Sequence, residues 1–375
     1  MKILEEQIRI DCPDFERKVY CILGLPFDAV NLHDVCRLVR EAAAQRTPYF
    51  ISTPNINFII TCLKDAEFRQ SVFDSHLSTA DGMPIIWVAR LLGIPLFERV
   101  TGSGMFELLM ETTKERLNVY FFGGPDGAAE KAGDTVNQGT SALRCVGFQT
   151  PGFGSVEGMS ADGTIAKIND ANPDFVVVAL GAKKGNAWIQ LNRAKLRAPV
   201  ISHLGAVVNF LAGDVKRAPK MLQAIGFEWL WRIYEEPHLW KRYAVDGLQL
   251  VKLFFSRVIP YAVWLKRHKS QIKFAQPLSV KVNNESESLI SLSLSGQCSA
   301  QTIEPLQKYL SENAFKTTSF ELDLQNVDYI DSAFVGLCIL IKTCTKNHNG
   351  YLKFFNLSPA VKQVFIWCCA EYLLL

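Results

Sequence analysis

Between Ile51 and Gly104 the chain gathers residue types that handle protons and anions. Thr53 and Asn55 follow a short apolar run, Asp81 stands in Thr79-Ala80-Asp81-Gly82, and Arg99 opens the cationic turn Arg99-Val100-Thr101-Gly102-Ser103-Gly104. A carboxylate in a polar turn is a candidate general base. Two glycine turns, Gly123–Gly127 and Gly181–Gly185, each follow an apolar run and precede a helix. Their backbone N–H groups can meet anionic oxygens at a helix N-terminus, and Lys183 and Lys184 add charge to the second. Each feature has a plainer alternative. Asp81 can be an N-cap or Asx turn ahead of Pro84, Thr53 and Asn55 a turn that closes a strand, Arg99 a solvated charge, and the glycines structural punctuation.

The elements that must position these residues follow from periodicity. Tyr49–Ser52 reads as a buried strand, and Phe58, Ile59, Cys62, Ala66 and Phe68 recur at helical spacing after it. Another helix opens at Pro84. Ligands in open α/β sheets gather at strand ends, so two polar turns and a cationic turn this close in sequence point to one pocket. Strands are expected at Val19–Leu23, Leu117–Phe122, Leu143–Phe148, Asp174–Leu180 and Pro199–His203. Helices are expected from the Asn31 cap to about Gln45, over Ala128–Gln138 and Asp162–Asn169, and from about Asn186. That alternation argues for an α/β fold, a Rossmann-like parallel sheet with helices on both faces. Residues 1–18 read as an arm, 19–245 as the main domain with a helical appendage over 205–245, 246–276 as a basic amphipathic linker, and 277–375 as a second, small α/β domain. In the last, a hairpin of Leu278–Val282 and Leu289–Leu294 leads to a helix at Ser299–Glu312, a strand at Phe320–Leu324, a helix at Asp331–Lys346, a strand at Tyr351–Asn356 and a closing helix at Pro359–Tyr372.

Composition narrows the function classes. With 375 residues, 49% hydrophobic and 21% charged, the chain has room for two ordinary domains and is not largely disordered. A net charge of +3 gives no general nucleic-acid signature. Ten cysteines without CxxC spacing and six scattered histidines point to a reduced cytosolic protein with no structural metal and no cofactor. The most apolar stretch, Leu248–Leu265, is interrupted by Lys252, Arg257 and Pro260, so the chain is expected to lie on a membrane rather than cross it.

Thr53-x-Asn55, Asp81-Gly82-Met83, Arg99-Val100-Thr101-Gly102-Ser103, GAVVNFLAGDVKRAP (Gly205–Pro219) and GFEWLWRIYEEPHLWKRY (Gly226–Tyr243) together resemble the WecG/TagA/CpsF glycosyltransferases, glycosyltransferase family 26. The resemblance implies an inverting transferase that moves a sugar from a UDP-sugar to a polyprenyl-diphosphate-linked glycan at the inner membrane surface. It implies Asp81 as base and Thr53 and Asn55 as pocket residues. Arg99, Gly102, Gly123, Gly124, Gly181, Lys183 and Lys184 would lie about the donor and its phosphates. Arg217, Arg232 and Arg242 of the appendage would face the lipid diphosphate, which suits the planar fork of arginine. The chain departs from the family pattern where Gly185 replaces a glutamine, Asn186 an acid and Asn209 an aspartate.

Ile330-Asp331-Ser332-Ala333-Phe334, after Glu321-Leu322-Asp323-Leu324, resembles a STAS domain. In regulated members a second serine takes phosphate, and that position here is Ala333. The resemblance therefore implies an interaction module, for a partner protein or a second copy, without that switch; Ser332 is expected to cap its helix. A second overall reading is a non-catalytic scaffold that senses nucleotide-sugar and signals through the STAS domain. The replaced Gly185, Asn186 and Asn209 favour it, and the intact Thr53, Asn55, Asp81 and Arg99 oppose it.

Overall fold

A computed structural model describes residues 12–111, 116–138, 141–224, 226–273 and 276–375. In chain order the elements are β1 (Val19–Ile22), β2 (Leu25–Asp28), α1 (Leu32–Gln45), β3 (Tyr49–Ser52), α2 (Ile56–Cys62), α3 (Ala66–Phe73), β4 (Leu77–Ser78), α4 (Met83–Leu92) and α5 (Gly102–Glu111). Then come β5 (Leu117–Gly123), α6 (Ala128–Asn137), β6 (Leu143–Gln149), α7 (Asp162–Asp170), β7 (Phe175–Ala179), α8 (Ala182–Asn192), β8 (Val200–His203) and α9 (Gly205–Leu211). The appendage holds α10 (Lys220–Ala224) and α11 (Glu228–Glu235), followed by α12 (Trp240–Leu253) and α13 (Ile259–Lys273). The last domain comprises β9 (Ser279–Glu285), β10 (Leu289–Cys298), α14 (Glu304–Asn313), β11 (Ser319–Ile330), α15 (Ser332–Asn347), β12 (Leu352–Phe355) and α16 (Pro359–Trp367).

Six parallel strands form the main sheet in the order β4-β3-β8-β7-β5-β6. Strand β7 is buried at every position, as a strand covered on both faces must be. Its residues alternate between two cores. Phe175, Val177 and Ala179 join Val35, Phe106 and Val208 on one face, while Val176 and Val178 join Phe122 and Trp188 on the other. The chain order reverses around the centre, with β8 added last between β3 and β7, so the C-terminal ends of these strands line the crevice where an open α/β sheet takes its ligand.

The second sheet has the order β12-β11-β10-β9, with the β9–β10 hairpin antiparallel and the other pairs parallel. It is a separate small α/β domain, as expected, yet it does not stand apart. Strands β1 and β2 form an antiparallel hairpin outside the main sheet, closed by Leu23 and Gly24 at φ 49 and 87, the left-handed pair that a two-residue turn needs. This hairpin is the seat of the second domain. Gly336 of α15 faces it so closely that a Cβ there would lie 2.6 Å from the Val19 carbonyl oxygen. Tyr372 Oη donates to the Gly24 carbonyl at 2.9 Å, and one core runs from Val19, Leu25 and Ile59 through to Phe334 and Phe365.

Several sequence expectations change. Residues 12–18 are no loose arm: Phe15 is buried, and Arg17 pairs with Asp28 at 2.7 Å under the hairpin; residues 1–11 lie outside the described residues. The single helix expected over Phe58–Phe68 is two, because Asp65 caps a new start by accepting the Phe68 N–H. Helix α8 starts at Ala182, not Asn186, so the second glycine turn is its first turn, with Gly181 (φ 79) as the cap. Helix α14 begins at Glu304 because Ser299 and Thr302 first close a turn on themselves.

The basic stretch is not a linker hanging between domains. From Pro237 to His268 the chain is one helical run of 32 residues, long and apolar enough by composition to cross a membrane. Its second half belongs to the core: Val258, Tyr261 and Ala262 are buried, Trp264 stacks on Tyr329 at 5.3 Å, and Tyr261 on Trp367 at 5.7 Å. Its first half is fixed at Asp246, which accepts from Asn57 Nδ2 at 3.0 Å. Between them, Phe254–Val258 forms a π turn.

Candidate active site

Three loops meet at the ends of β3 and β4. The Thr79 N–H donates to the Ser52 carbonyl at 2.9 Å, the Asp81 N–H to the Pro54 carbonyl at 3.0 Å, and the Val100 N–H to the Ala80 carbonyl at 3.0 Å. Thr79 Oγ1 donates to the Val100 carbonyl at 3.1 Å. The two polar turns and the cationic turn are therefore laced into one unit by backbone bonds. Gly102 then starts α5 against Leu204 at the end of β8, where any Cβ would overlap the leucine side chain.

Asp81 does not cap α4, whose N-cap is Gly82 with no side-chain bond. Its carboxyl is instead enclosed near Arg99, Glu228 and Arg217, with the Gly102 N–H as a donor. Burial pushes it up to about 7; Arg99 and the Gly102 N–H pull it down, and Glu228 pushes it further up. A carboxylate poised there suits a general base at neutral pH.

Arg99 forms an ion pair with Glu228, in the first turn of α11, and Arg217 one with Glu107 of α5. Burial holds Arg217 below the usual guanidinium range, and Glu228, Arg99 and Asp81 all act on it. Arg217 thus joins the Asp81 group. Arg232 and Arg242 do not. Arg232 pairs with Glu236 at 2.6 Å and lies over the Phe210 ring at 5.6 Å, and Arg242 is exposed over Tyr243 at 5.2 Å.

Asn55 takes the plainer role as the N-cap of α2, accepting the Phe58 N–H at 3.2 Å, though it remains exposed at the strand end beside the half-buried Thr53. The Gly124 N–H is spent on the Ala179 carbonyl at 2.7 Å, and a Cβ on Gly123 would stand 2.6 Å from that oxygen. This turn is shaped by the close approach of β5 and β7, and the Gly124 N–H is unavailable to phosphate. The N-terminus of α8 has no side-chain cap. The lysines that follow Gly181 are drawn outward, Lys183 to Asp65 at 2.5 Å and Lys184 to the Gly154 carbonyl at 2.9 Å.

Gly185 is accounted for by His203. The imidazole at the end of β8 fills the space that a side chain at 185 would need. Its Nε2 is buried without a hydrogen-bond partner, and burial holds the ring at about 4, hence neutral at physiological pH. Asn186 is buried too, donating to the Ala182 carbonyl at 2.9 Å. Sequence reasoning missed Glu228, Glu107 and His203. Glu228 lies within the appendage string, but nothing in its spacing separates it from Glu235 or Glu236.

At the other end of the molecule Asp331 caps α15, accepting from Ala333 and Phe334 at 2.9 and 3.3 Å and from the Ala300 N–H at 2.9 Å. Burial raises it to about 6 against those three donors. Ser332 makes no cap and is 4% exposed. A cavity of about 660 Å³ between Tyr20, Phe97, Gln307 and Ala333 lies at that seam and includes none of the Asp81 group. Cys12, Cys344 and His348 bring their ligand atoms within 4.8 Å of one another, a grouping invisible in sequence, and His348 Nδ1 is already bonded to the Cys344 carbonyl at 2.9 Å.

Comparison with known proteins identifies the family. Residues 20–262 match the Glycosyl transferase WecG/TagA/CpsF family, and residues 281–368 match the STAS domain. An N-acetylglucosaminyldiphosphoundecaprenol N-acetyl-beta-D-mannosaminyltransferase of Bacillus subtilis (strain 168) is 26% identical over 225 residues, covering 59% of this chain and 85% of that protein. One of the same name from Staphylococcus aureus (strain MW2) is 23% identical over 255 residues, covering 66% and 95%. Among solved structures, the unphosphorylated anti-sigma factor antagonist SpoIIAA is 19% identical and covers 24% of this chain and 83% of its own, at a TM-score of 0.22 that is too low to bear on the fold. The family match spans well over half of the sequence, and the chain belongs to the WecG/TagA/CpsF glycosyltransferase family, with a STAS domain joined to it.

Proposed function

We propose that the chain transfers a sugar, with inversion, from a UDP-sugar to a polyprenyl-diphosphate-linked glycan in the synthesis of a bacterial cell-surface polysaccharide. The observation that carries this reading is the carboxylate of Asp81, held near neutral pKa where three laced loops meet two guanidiniums. Asp81 takes the proton of the acceptor hydroxyl as its oxygen bonds to the anomeric carbon. The bond from that carbon to the diphosphate breaks, and the leaving group carries its charge away beside Arg99 and Arg217. The uncapped N-terminus of α8 and the exposed end of Asn55 supply further donors for the nucleotide diphosphate. The relatives' names, which put their acceptor on undecaprenyl diphosphate, support the lipid carrier.

Membrane contact fits the outer side of the helical run. Trp240, Leu248, Val251 and Phe255 are exposed among Lys241, Arg242 and Lys252, an interfacial pattern of apolar residues flanked by cations. The protein would therefore work as a peripheral enzyme at the cytoplasmic face. The test is mass spectrometry of reactions with a panel of UDP-sugars and a short-chain polyprenyl-diphosphate glycan. A new product one sugar heavier supports the reading. UDP binding with no product from any donor would replace it with the sensor-scaffold reading, which the filled pocket at Gly185 favours.

A further inference from the structure

We propose that Glu228 is a positioning residue of the transfer site, a built-in anion that holds Arg99 until the donor's diphosphate takes that guanidinium over. The proposal rests on the transferase reading above and adds a residue and an order of events to it.

The argument is one of charge pairing. The groups facing Asp81 are Arg99 and the Gly102 N–H from the loop entering α5, Arg217 from the segment before α10, and Glu228 from α11. Glu107 of α5 completes the set by holding Arg217. Three carboxylates meet two guanidiniums here, and the ion pairs that form settle which acid has none. Arg99 goes to Glu228 and Arg217 to Glu107, which leaves Asp81 with the Gly102 N–H. The odd carboxylate is therefore the proposed base.

The Arg99–Glu228 pair is no surface ornament. It joins residues 129 apart in sequence, with side chains only 14% and 20% exposed, and ties the appendage to the laced loops. A carboxylate near the start of a helix is common in itself. This one, however, reaches out of α11 to the arginine beside the base. A half-enclosed guanidinium that must later bind an anion gains from a partner: unpaired it would bear the cost of burial alone, and paired it is kept in place. The cost is competition. A diphosphate reaches Arg99 only by displacing Glu228, and that exchange also frees the appendage helix to move with its acid.

Isothermal titration of the full-length wild type and Glu228→Gln with inorganic pyrophosphate, UDP and uridine tests this directly. Pyrophosphate and UDP are expected to bind the variant more tightly, on the order of fivefold to tenfold, with uridine unchanged. Equal pyrophosphate binding in the two proteins, weaker binding in the variant, or binding in neither would overturn the proposal. Glu228→Asp, which keeps the charge but shortens the reach, is expected to fall between them and serves if the glutamine variant folds poorly. A second readout is the acid limb of the kcat/KM profile, expected to move to lower pH in Glu228→Gln because Asp81 loses a like charge and sees more of Arg99. A limb that stays in place while Tm falls would mean a structural role only. Should Asp81→Asn retain full transfer, the assignment of the base fails, while the pyrophosphate result still judges Glu228 by itself.

Discussion

The crevice at Asp81 and the seam at Gly336 are both places where distant parts of the chain meet, and they are built oppositely. The crevice is joined through charges: an odd carboxylate and two paired guanidiniums. The seam is joined through apolar packing, a glycine with no room for a side chain, and a carboxylate whose donors are all in place. Charge pairs can be exchanged for a ligand's charges at modest cost, whereas an apolar interface cannot shift without losing buried contacts. The first is suited to a reaction cycle and the second to permanence. This bears on the STAS domain, whose motif end is occupied by its own chain.

The comparison can be broken at either end. Asp81→Asn is expected to lower transfer by roughly 10²- to 10⁴-fold, the usual contribution of a general base, with no loss of fold. Because burial raises Asp81 to about 7, its ionised form is disfavoured in the folded chain, and stability is lost as pH rises from the ordinary carboxylate range through about 7. The variant should therefore gain melting temperature relative to wild type at pH 8 and not at pH 5, and wild-type kcat/KM should climb through an acid limb near 7. Gly336→Val should cost ~1–3 kcal/mol by overpacking, seen in denaturant melts and as new proteolytic sensitivity, while the chemistry in surviving folded protein is largely kept. If it abolished transfer as thoroughly as Asp81→Asn, the seam would be part of the catalytic cycle.

A smaller effect sharpens the crevice itself. Gly185→Gln should destabilise by about 1–2 kcal/mol because the new side chain meets the His203 ring, and pairing it with His203→Ala should recover most of the loss in a double-mutant cycle. Least costly of all, exchanging any one of Lys241, Arg242 and Lys252 for glutamine should weaken binding to anionic vesicles by ~1 kcal/mol, read by co-sedimentation and its salt dependence. Unchanged sedimentation would mean that the exposed face of the helical run contacts something other than lipid.

Much of the scaffold was legible because it rests on local signals. The fully apolar Phe175–Ala179, the Asn31 cap and the Gly-rich strand ends each specify an element from a few neighbours. Recognisable motifs brought Thr53, Asp81 and Arg99 to one place, and the backbone lacing explains why those turns travel together. What stayed hidden depends on long-range contact. Gly185 reads as a lost glutamine until His203 is found in its space, and Glu228 is one acid among several until Arg99 is found against it. Arg232 and Arg242 looked equivalent to Arg217, yet a nearby acid and two aromatic rings claim them first. Of the β1–β2 hairpin only the first strand was expected, at Val19–Leu23, and its role as a seat for another domain has no local code at all.

The π turn at Phe254–Val258 sets an angle as well as a spacing. Each residue of an α-helix advances about 100° around the axis, so the wide turn fixes the phase between the half that bonds Asn57 and the half that stacks on Tyr329. Deleting one residue there would turn one half by about 100° against the other, so that the Asn57 bond and the Tyr329 stack could not both form. The fusion therefore behaves as a keyed shaft: a STAS domain transplanted from elsewhere would seat on this transferase only if its helix arrived with the matching rotation.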